Sequence, residues 1–365
     1  MIGQIPSAPN WTVDWDESLD WVIAMKNCPQ KRVYHGEGDV WIHTKMVVEA
    51  LLADPDFRRL SEADRSVLFH VALLHDVGKP ECTRQGPDGP GSPGHARRGS
   101  ILARRLLWEK NFDPKLREQV CSLILYHMVP FWMIDEQDWQ RQLLAITLRC
   151  RADFLAIQAR ADARGRICND PVRLLQQVDL FEQLAYEHGV VNCPPTFAND
   201  HSRVLYFLKG GDPNYARFEQ PKFQVTMLSG LPAAGKDYWV QNSGHGLPCI
   251  SLDQLRNELN VAPTDSQSRV VEAAREQAKI YLRKGQEFIW NATNLSREQR
   301  SRHLALFTDY QASVRIVYLE APAEELERRN NLRELPVPGQ AIERMLRNWE
   351  PPDLSEAHQI VIPGS

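Results

Sequence analysis

Phe223-Gln224-Val225-Thr226-Met227-Leu228-Ser229-Gly230-Leu231-Pro232-Ala233-Ala234-Gly235-Lys236 is a short apolar run followed by a glycine-bracketed loop and a lysine. The run Phe223–Leu228 suits a buried strand, and a helical pattern follows the lysine. Glycines at 230 and 235 keep bulky side chains out of the loop, so its N–H groups can face β- and γ-phosphates. The helix N-terminus adds its positive end, and Lys236 reaches the terminal phosphates. The stretch reads as an ATP or other NTP site with Mg²⁺, held by Gly230, Gly235 and Lys236. One position departs from that pattern. Asp237 stands where Ser or Thr normally offers Mg²⁺ a hydroxyl. A carboxylate there repels phosphate unless a cation lies between them, so Asp237 is expected to ligate Mg²⁺ directly or through water, the alternative being a weakened or unusual ATP site.

Outward from this loop, Ile250–Asp253, Glu287–Trp290 and Val314–Leu319 are further strand candidates with helical patterns between them. Alternating strands and helices predict a parallel α/β sheet over residues 221–365. Asp253 ends the second strand, in the crevice where substrates sit in open α/β sheets, and can accept the proton of an attacking hydroxyl. Capping of a helix over Gln254–Leu259 is its competing use. Arg256, one turn on, faces the same crevice. Arg329 and Arg333 are spaced i, i+4 on one helix face. As part of a lid they would stabilise charge on a transferring phosphoryl group.

Residues 1–205 read instead as helices, with apolar spacing through 41–52, 66–74, 100–107, 116–127 and 142–161, and residues 206–220 read as a linker. Six of the eleven histidines fall between positions 35 and 127. His75-Asp76 ends one apolar helix, His43 opens another, His127 shares a face with Val120 and Ile124, and Asp162 lies on the stripe of Leu155 and Ala159. Any one inward histidine is ordinarily a satisfied core residue. Buried His and Asp arriving from four helices need a common partner, and a divalent cation supplies it.

The order His43, His75-Asp76, Asp162 resembles the HD phosphohydrolase superfamily. The local contexts are Gly38-Asp39-Val40-Trp41-Ile42-His43-Thr44, Leu74-His75-Asp76-Val77-Gly78-Lys79-Pro80, Gly94-His95, Tyr126-His127 and Arg160-Ala161-Asp162. The likeness spans about residues 34–165. It implies that His43, His75, Asp76 and Asp162 hold a transition metal such as Mn²⁺, Ni²⁺ or Co²⁺. A metal-activated water would then attack phosphorus. Asp153 is the rival for the last ligand position. His95 and His127 are candidates for a second metal or for a general acid. Lys79 is close enough to reach a phosphate oxygen, against a competing role as a surface lysine, and His35 is assigned as a phosphate contact.

The loop Gly230–Lys236, then Asp253 and Arg256, then Asn291-Ala292-Thr293-Asn294, then Arg329 and Arg333 before Val337-Pro338, run in an order similar to the phage-type 5′-hydroxyl polynucleotide kinases. That resemblance covers about residues 222–350. It makes Asp253 the general base, puts Arg256 on a phosphate of the acceptor strand, and sets Arg329 and Arg333 on ATP phosphates. The two halves together resemble the bacterial bifunctional HD-domain polynucleotide kinases. The implied activity removes 2′,3′-cyclic, 2′- or 3′-phosphates and phosphorylates 5′-hydroxyls on RNA or DNA ends. No lysine has a glycine three residues later, so the nucleotidyl-lysine motif of ligases is absent and sealing is expected from a separate ligase.

Composition narrows the classes. At 365 residues two domains are expected, and 43% apolar with 25% charged residues is ordinary for a globular chain. A net charge of −4 gives no global basic field for bulk nucleic-acid binding. Seven scattered cysteines without a CxxC pair argue against a disulfide framework. With no signal-like segment and no long apolar run, a soluble cytoplasmic protein with no membrane partner is expected. Two other functions compete. One is a nucleoside or nucleotide kinase fused to a nucleotide phosphohydrolase, where Arg256 would have no 3′-phosphate to hold. The other is a non-catalytic nucleotide sensor disabled by Asp237.

Overall fold

The computed structural model describes residues 6–7, 10–262 and 265–363. Two compact units, Met1–Pro195 and Thr196–Ser365, divide the chain. Among the described residues no helix is long and apolar enough to cross a membrane.

Among its described residues, the regular structure of the first unit is helical apart from one small hairpin. Its helices begin where the sequence supplies caps. Asp39 accepts from the Ile42 N–H ahead of Val40–Ala53, and Ser61 from Asp64 ahead of Glu62–Leu74. Asp113 does the same ahead of Pro114–Tyr126, with proline at the first helical position. Helix Val40–Ala53 buries Val40, Val47, Val48 and Leu51, and Glu62–Leu74 buries Val67, Leu68, Val71 and Leu74. The single helix expected over 142–161 is two, Trp139–Thr147 and Ala152–Arg164. Arg151 is extended (φ −73°, ψ 134°) and the Asp153 N–H donates to Val191 O, so the chain re-aims before the second helix. In the glycine- and proline-rich stretch, Arg84–Gly86 and Gly89–Gly91 pair antiparallel.

Among the described glycines of this unit, Gly78 has the least room for a side chain. A Cβ there would lie 2.3 Å from His95 O and 2.5 Å from Gly99 N. Its φ of −80° is ordinary, so closeness of approach, not backbone freedom, demands glycine. It lets helix His95–Glu109 press against the turn carrying His75 and Asp76.

The second unit is a five-stranded parallel sheet. In spatial order its strands are Cys249–Ser251, Phe288–Asn291, Phe223–Ser229, Ala312–Tyr318 and Gln359–Val361. Helix Ser268–Arg283 lays Val270, Ala274, Ala278 and Leu282 on one face, against Val225, Met227, Phe288 and Trp290. Leu228, Ile289 and Val317 pack the other face with Trp239 and Val240. Each face is thus covered by helix, as buried parallel strands require. The strand Phe223–Ser229 lies in the middle and delivers its loop to the crevice at the strands' carboxyl ends.

Helix Asp200–Lys209 belongs to this second unit, although the sequence placed residues through 205 in the first and a linker from 206. It is tied to the C-terminal segment. Arg203 donates to Leu354 O (2.9 Å) and His358 O (3.0 Å), and His201 Nδ1 lies 3.0 Å from His358 Nε2.

Candidate active sites

In the first unit, His43 and Asp162 project from helices Val40–Ala53 and Ala152–Arg164. His75-Asp76 follows helix Glu62–Leu74, His95 opens His95–Glu109, and His127 caps Pro114–Tyr126. All but His95 are buried.

The imidazoles share one mode of anchoring. Nδ1 of His75 lies 2.8 Å from Ala72 O, that of His95 2.8 Å from Ser92 O, and that of His127 2.8 Å from Ile124 O. A carbonyl only accepts, so each Nδ1 carries the proton and each Nε2 turns inward as a bare lone pair. These nitrogens converge. His75 Nε2 is 3.4 Å from His43 Nε2, and His95 Nε2 is 3.3 Å from His127 Nε2. Asp76 lies between the pairs, with Oδ2 3.2 Å from His75 and 3.7 Å from His43, and Oδ1 3.5 Å from His95 and 3.8 Å from His127. Both its oxygens are buried without an aligned hydrogen bond. Lys79 Nζ approaches Oδ2 at 2.7 Å as an ion pair only.

Orphaned carboxylate oxygens ringed by bare nitrogens fit a cation. Ligand atoms of His43, His75 and Asp162 lie within 4.8 Å of one another, as do those of Asp76, His95 and His127. Imidazole with carboxylate suits Mn, Fe, Co, Ni or Zn. Asp153 stands outside the cluster, paired with Arg151 at 2.5 Å.

Electrostatics agree with that fit. Burial works against charge on Asp76, yet Lys79 and His75 hold its carboxyl well below the usual range. Burial likewise opposes charge on Asp162, and Arg166 with His43 overrides it. Burial pushes His127 down to about 3, helped by His95 and His75, and also lowers His95, so both stay neutral ligands. His43 differs. Burial disfavours its charge, but Asp162 (3.1 Å) and Glu37 raise its pKa.

Three residues of the site carried no signal that was read from the sequence. Glu37, with its side chain fully buried, takes His35 Nδ1 and His43 Nδ1 on Oε1 at 2.9 Å each and the Ile167 N–H on Oε2. Arg166 forks onto Asp162 at 2.8 and 2.6 Å, and its i, i+4 spacing from Asp162 was the available clue. Gln30 accepts from Lys79 Nζ at 2.7 Å. Lys79 is therefore a buried site residue, not a solvated surface lysine. His35 is buried too, its ring 4.6 Å from that of His43 and its pKa pushed down to about 4 by burial. Its Nδ1 is committed to Glu37.

In the second unit, Gly230 donates its N–H to Thr293 O (2.9 Å), and a Cβ there would sit 2.3 Å from Leu319 O. Gly235 has φ 102°, where glycine is favoured, and opens helix Lys236–Ser243. Lys236 Nζ folds back onto Gly230 O (3.0 Å) and Leu231 O (2.9 Å). Burial pushes its pKa down to about 8. Asp237 and Asp253 act to raise it and Arg333 to lower it further, so all three bear on the lysine. Arg329 lies over the loop, its Nη1 3.8 Å from where a Gly235 Cβ would be, and it is tethered to Glu325 at 2.6 Å.

Two expectations change here. The strand ends at Ser251, whose Oγ accepts from Gln254 N, so Ser251 caps helix Leu252–Glu258 and Asp253 stands free of that duty in its first turn. Asp253 pairs instead with Arg256 at 2.5 Å, while Arg256 also donates to Gln267 Oε1 at 2.8 Å. Arg333 does not share a helix with Arg329. Helix Ala323–Asn331 closes at Leu332, and the Arg333 N–H turns back onto Asn330 O. Asn294, part of the motif quoted above, braces the loop by donating to Leu228 O at 2.7 Å.

An HD domain family model matches residues 40–165, and an AAA domain family model matches residues 225–352. No curated protein matches the chain. Among solved structures, the chain is similar to a protein of Chloroflexus aurantiacus j-10-fl provisionally described as a kinase. That likeness has 17% identity and a TM-score of 0.32, over 39% of this chain and 85% of the other. The helical unit thus holds the stretch that matches the HD domain model, and the parallel-sheet unit with its P-loop holds the stretch that matches the AAA domain model.

Proposed function

We propose that the protein heals broken nucleic-acid ends, with the HD unit removing 2′,3′-cyclic, 2′- or 3′-phosphates and the P-loop unit phosphorylating 5′-hydroxyls. The observation that carries this reading is the Asp253–Arg256 pair beside the P-loop lysine. Asp253 supplies a base for an attacking hydroxyl, and Arg256 supplies a cation for a phosphate on the same acceptor. A nucleoside without a 3′-phosphate would leave that arginine only Asp253 and Gln267 as partners. Lys236, Arg329 and Arg333 hold the phosphates of the NTP and offset charge as the phosphoryl group transfers.

In the HD unit, His43, His75 and Asp162 would hold one divalent ion, and Asp76, His95 and His127 a second. Bound there, such ions supply neutralising charge at the phosphoryl oxygens and an activated water. The protein's own groups do the rest. Glu37 and the backbone carbonyls fix the imidazoles so that Nε2 faces inward, and Lys79 balances Asp76. His95, whose side chain is 15% exposed, is the ring of the set most open to an incoming substrate. The two activities together leave a 5′-phosphate and a 3′-hydroxyl for a separate ligase.

The test offers an oligonucleotide bearing a 5′-hydroxyl and a 3′-phosphate or 2′,3′-cyclic phosphate, with ATP and Mn²⁺ or Ni²⁺. Both ends should be converted. Asp253→Ala should lose only the kinase, and His75→Ala or Asp76→Ala only the phosphoesterase. Nucleosides accepted while both oligonucleotide ends stay unchanged would replace this reading with a small-molecule kinase fused to a nucleotide phosphohydrolase.

A further inference from the structure

The P-loop unit carries a carboxylate where a hydroxyl is usual and an amide where a carboxylate is usual. In P-loop enzymes Mg²⁺ is held by a Ser or Thr hydroxyl after the lysine and by a strand-borne aspartate. Here the residue after Lys236 is Asp237. Strand Phe288–Asn291, hydrogen-bonded directly to the P-loop strand, ends in Asn291 where a carboxylate is expected. The two side chains meet. Asn291 Nδ2 donates to Asp237 Oδ1 at 2.8 Å. Donation fixes which end of the amide faces Asp237, because the reverse orientation would set oxygen against oxygen. Asn291 is buried, while Asp237 is exposed in the first turn of the helix that follows the loop.

From this geometry we infer that Asp237 and Asn291 form the Mg²⁺ site of the kinase unit as an exchanged pair, with the single carboxylate moved from the strand end to the P-loop helix. The inference rests on reading this unit as an NTP-dependent phosphotransferase. The charge of the pair is the same as in the usual arrangement, one carboxylate and one neutral oxygen donor. Mg²⁺ takes oxygen ligands, typically one or two carboxylates with phosphates and waters, so the exchanged set still suits it. An aspartate at both positions would put two carboxylates at hydrogen-bond distance, and the amide avoids that. The position of the carboxylate is what differs. In the first turn of helix Lys236–Ser243, Asp237 competes with phosphate for the same helix N-terminus and the same lysine. A strand-end aspartate stands further from that contest. Nucleotide affinity in this protein should accordingly depend on a divalent cation more steeply than the phosphate contacts alone require.

The test is ATP affinity of the full chain by isothermal titration, in EDTA and in excess Mg²⁺, for four proteins: wild type, Asp237→Ser, Asn291→Asp and the double variant. Wild type should gain strongly from Mg²⁺. Asp237→Ser should bind metal-free ATP better and Mg²⁺-ATP worse, shrinking the gain by roughly 5- to 150-fold, the usual span of coupling between ligands. Asn291→Asp should weaken metal-free binding further. The double variant should recover most of the wild-type gain, because it restores the usual order of ligands. Asp237 is exposed, so Asp237→Ser should fold normally, and its result stands even if the buried Asn291→Asp variant misfolds. A Mg²⁺ gain in Asp237→Ser equal to wild type overturns the assignment, as does a double variant no better than the sum of the singles. Wild type that binds ATP in neither condition overturns the phosphotransferase reading with it.

Discussion

Replacing Glu37 by Gln probes whether a carboxylate hydrogen-bonded behind the candidate ligand His43 governs the HD site. Its carboxylate is fully buried and holds the Nδ1 atoms of His35 and His43 at 2.9 Å each, with the Ile167 N–H on its other oxygen. Glutamine keeps one acceptor for the imidazoles but loses the charge that makes His43 a better ligand. It also turns an NH₂ toward the Ile167 N–H. Removing the outer partner of a ligating histidine typically costs about 10- to 100-fold in metal affinity. His43 retains a second acceptor in Gly165 O at 3.1 Å, so the loss should fall in the lower half of that range. About 10- to 30-fold corresponds to roughly 1.4–2 kcal/mol. The assay is Mn²⁺ titration calorimetry on the full chain without nucleotide, with thermal melting as the control for folding. Glu37→Ala, which removes both acceptors, should lose more. Wild-type affinity in both variants would refute the claim that Glu37 positions His43.

Other consequences follow from packing and from titration. Gly78→Ala puts a Cβ 2.3 Å from His95 O, and backbone cannot yield as a side chain can. Overpacking of this kind costs about 1–3 kcal/mol, so the HD unit should melt earlier and lose Mn²⁺ affinity; an unchanged melt would show that the contact relaxes freely. In the second unit, burial pushes His358 down to about 4 and also lowers His201. Val314 N–H donates to His358 Nδ1 at 3.0 Å, and Nε2 meets His201 at 3.0 Å, a neutral pair facing Arg203, Arg217, Lys209, Asp200 and Glu219. The unfolded imidazole takes up its proton near 6.5 and the folded one only near 4. Stability from the pair is therefore full above about pH 6.5 and lost as pH falls toward 4, by about 2 kcal/mol at pH 5 for His358 alone. His358→Gln should flatten that slope in denaturant unfolding; an equal slope would assign it elsewhere.

What the sequence disclosed and what it withheld divide along physical lines. Gly230, Gly235 and Lys236 were legible because a phosphate loop imposes local constraints at fixed spacing. The order His43, His75, Asp76, Asp162 was legible because buried polar residues on apolar stripes conflict with their surroundings. Glu37 was not, since it lies between Gly36 and Gly38 with no periodic frame, and its meaning arises only when Ile167, far along the chain, folds beside it. The strand Gln359–Val361 escaped notice because its pairing with Ala312–Tyr318 is set by the sheet rather than by its own three residues. Helix Asp200–Lys209 was misplaced for a similar reason. Its amphipathic pattern says that it packs, and only Arg203 reaching Leu354 and His358 says against what.

Both sites also share an electrostatic incompleteness that links their chemistry. At the HD site, Asp76 is ionised and buried among imidazole nitrogens, with Lys79 2.7 Å away as an ion pair and no aligned hydrogen bond. At the P-loop, Asp237 stands where incoming phosphates must approach, and Asn291 can share its charge by one hydrogen bond but cannot neutralise it. The Asp76 arrangement is poor as a resting end point, because a buried carboxylate held against lone pairs costs free energy that a cation recovers, while exposed Asp237 meets such a cost only when a phosphate approaches. A hydroxyl or amide would have been more stable at buried position 76 without metal, whereas Asp237 is exposed in a first helical turn and bonded to Asn291. Retaining carboxylates at both favours bound divalent ions over a metal-independent route. We propose from donor type that the two units prefer different ions, since nitrogen-rich imidazole sets select transition metals while all-oxygen sets with phosphate select Mg²⁺.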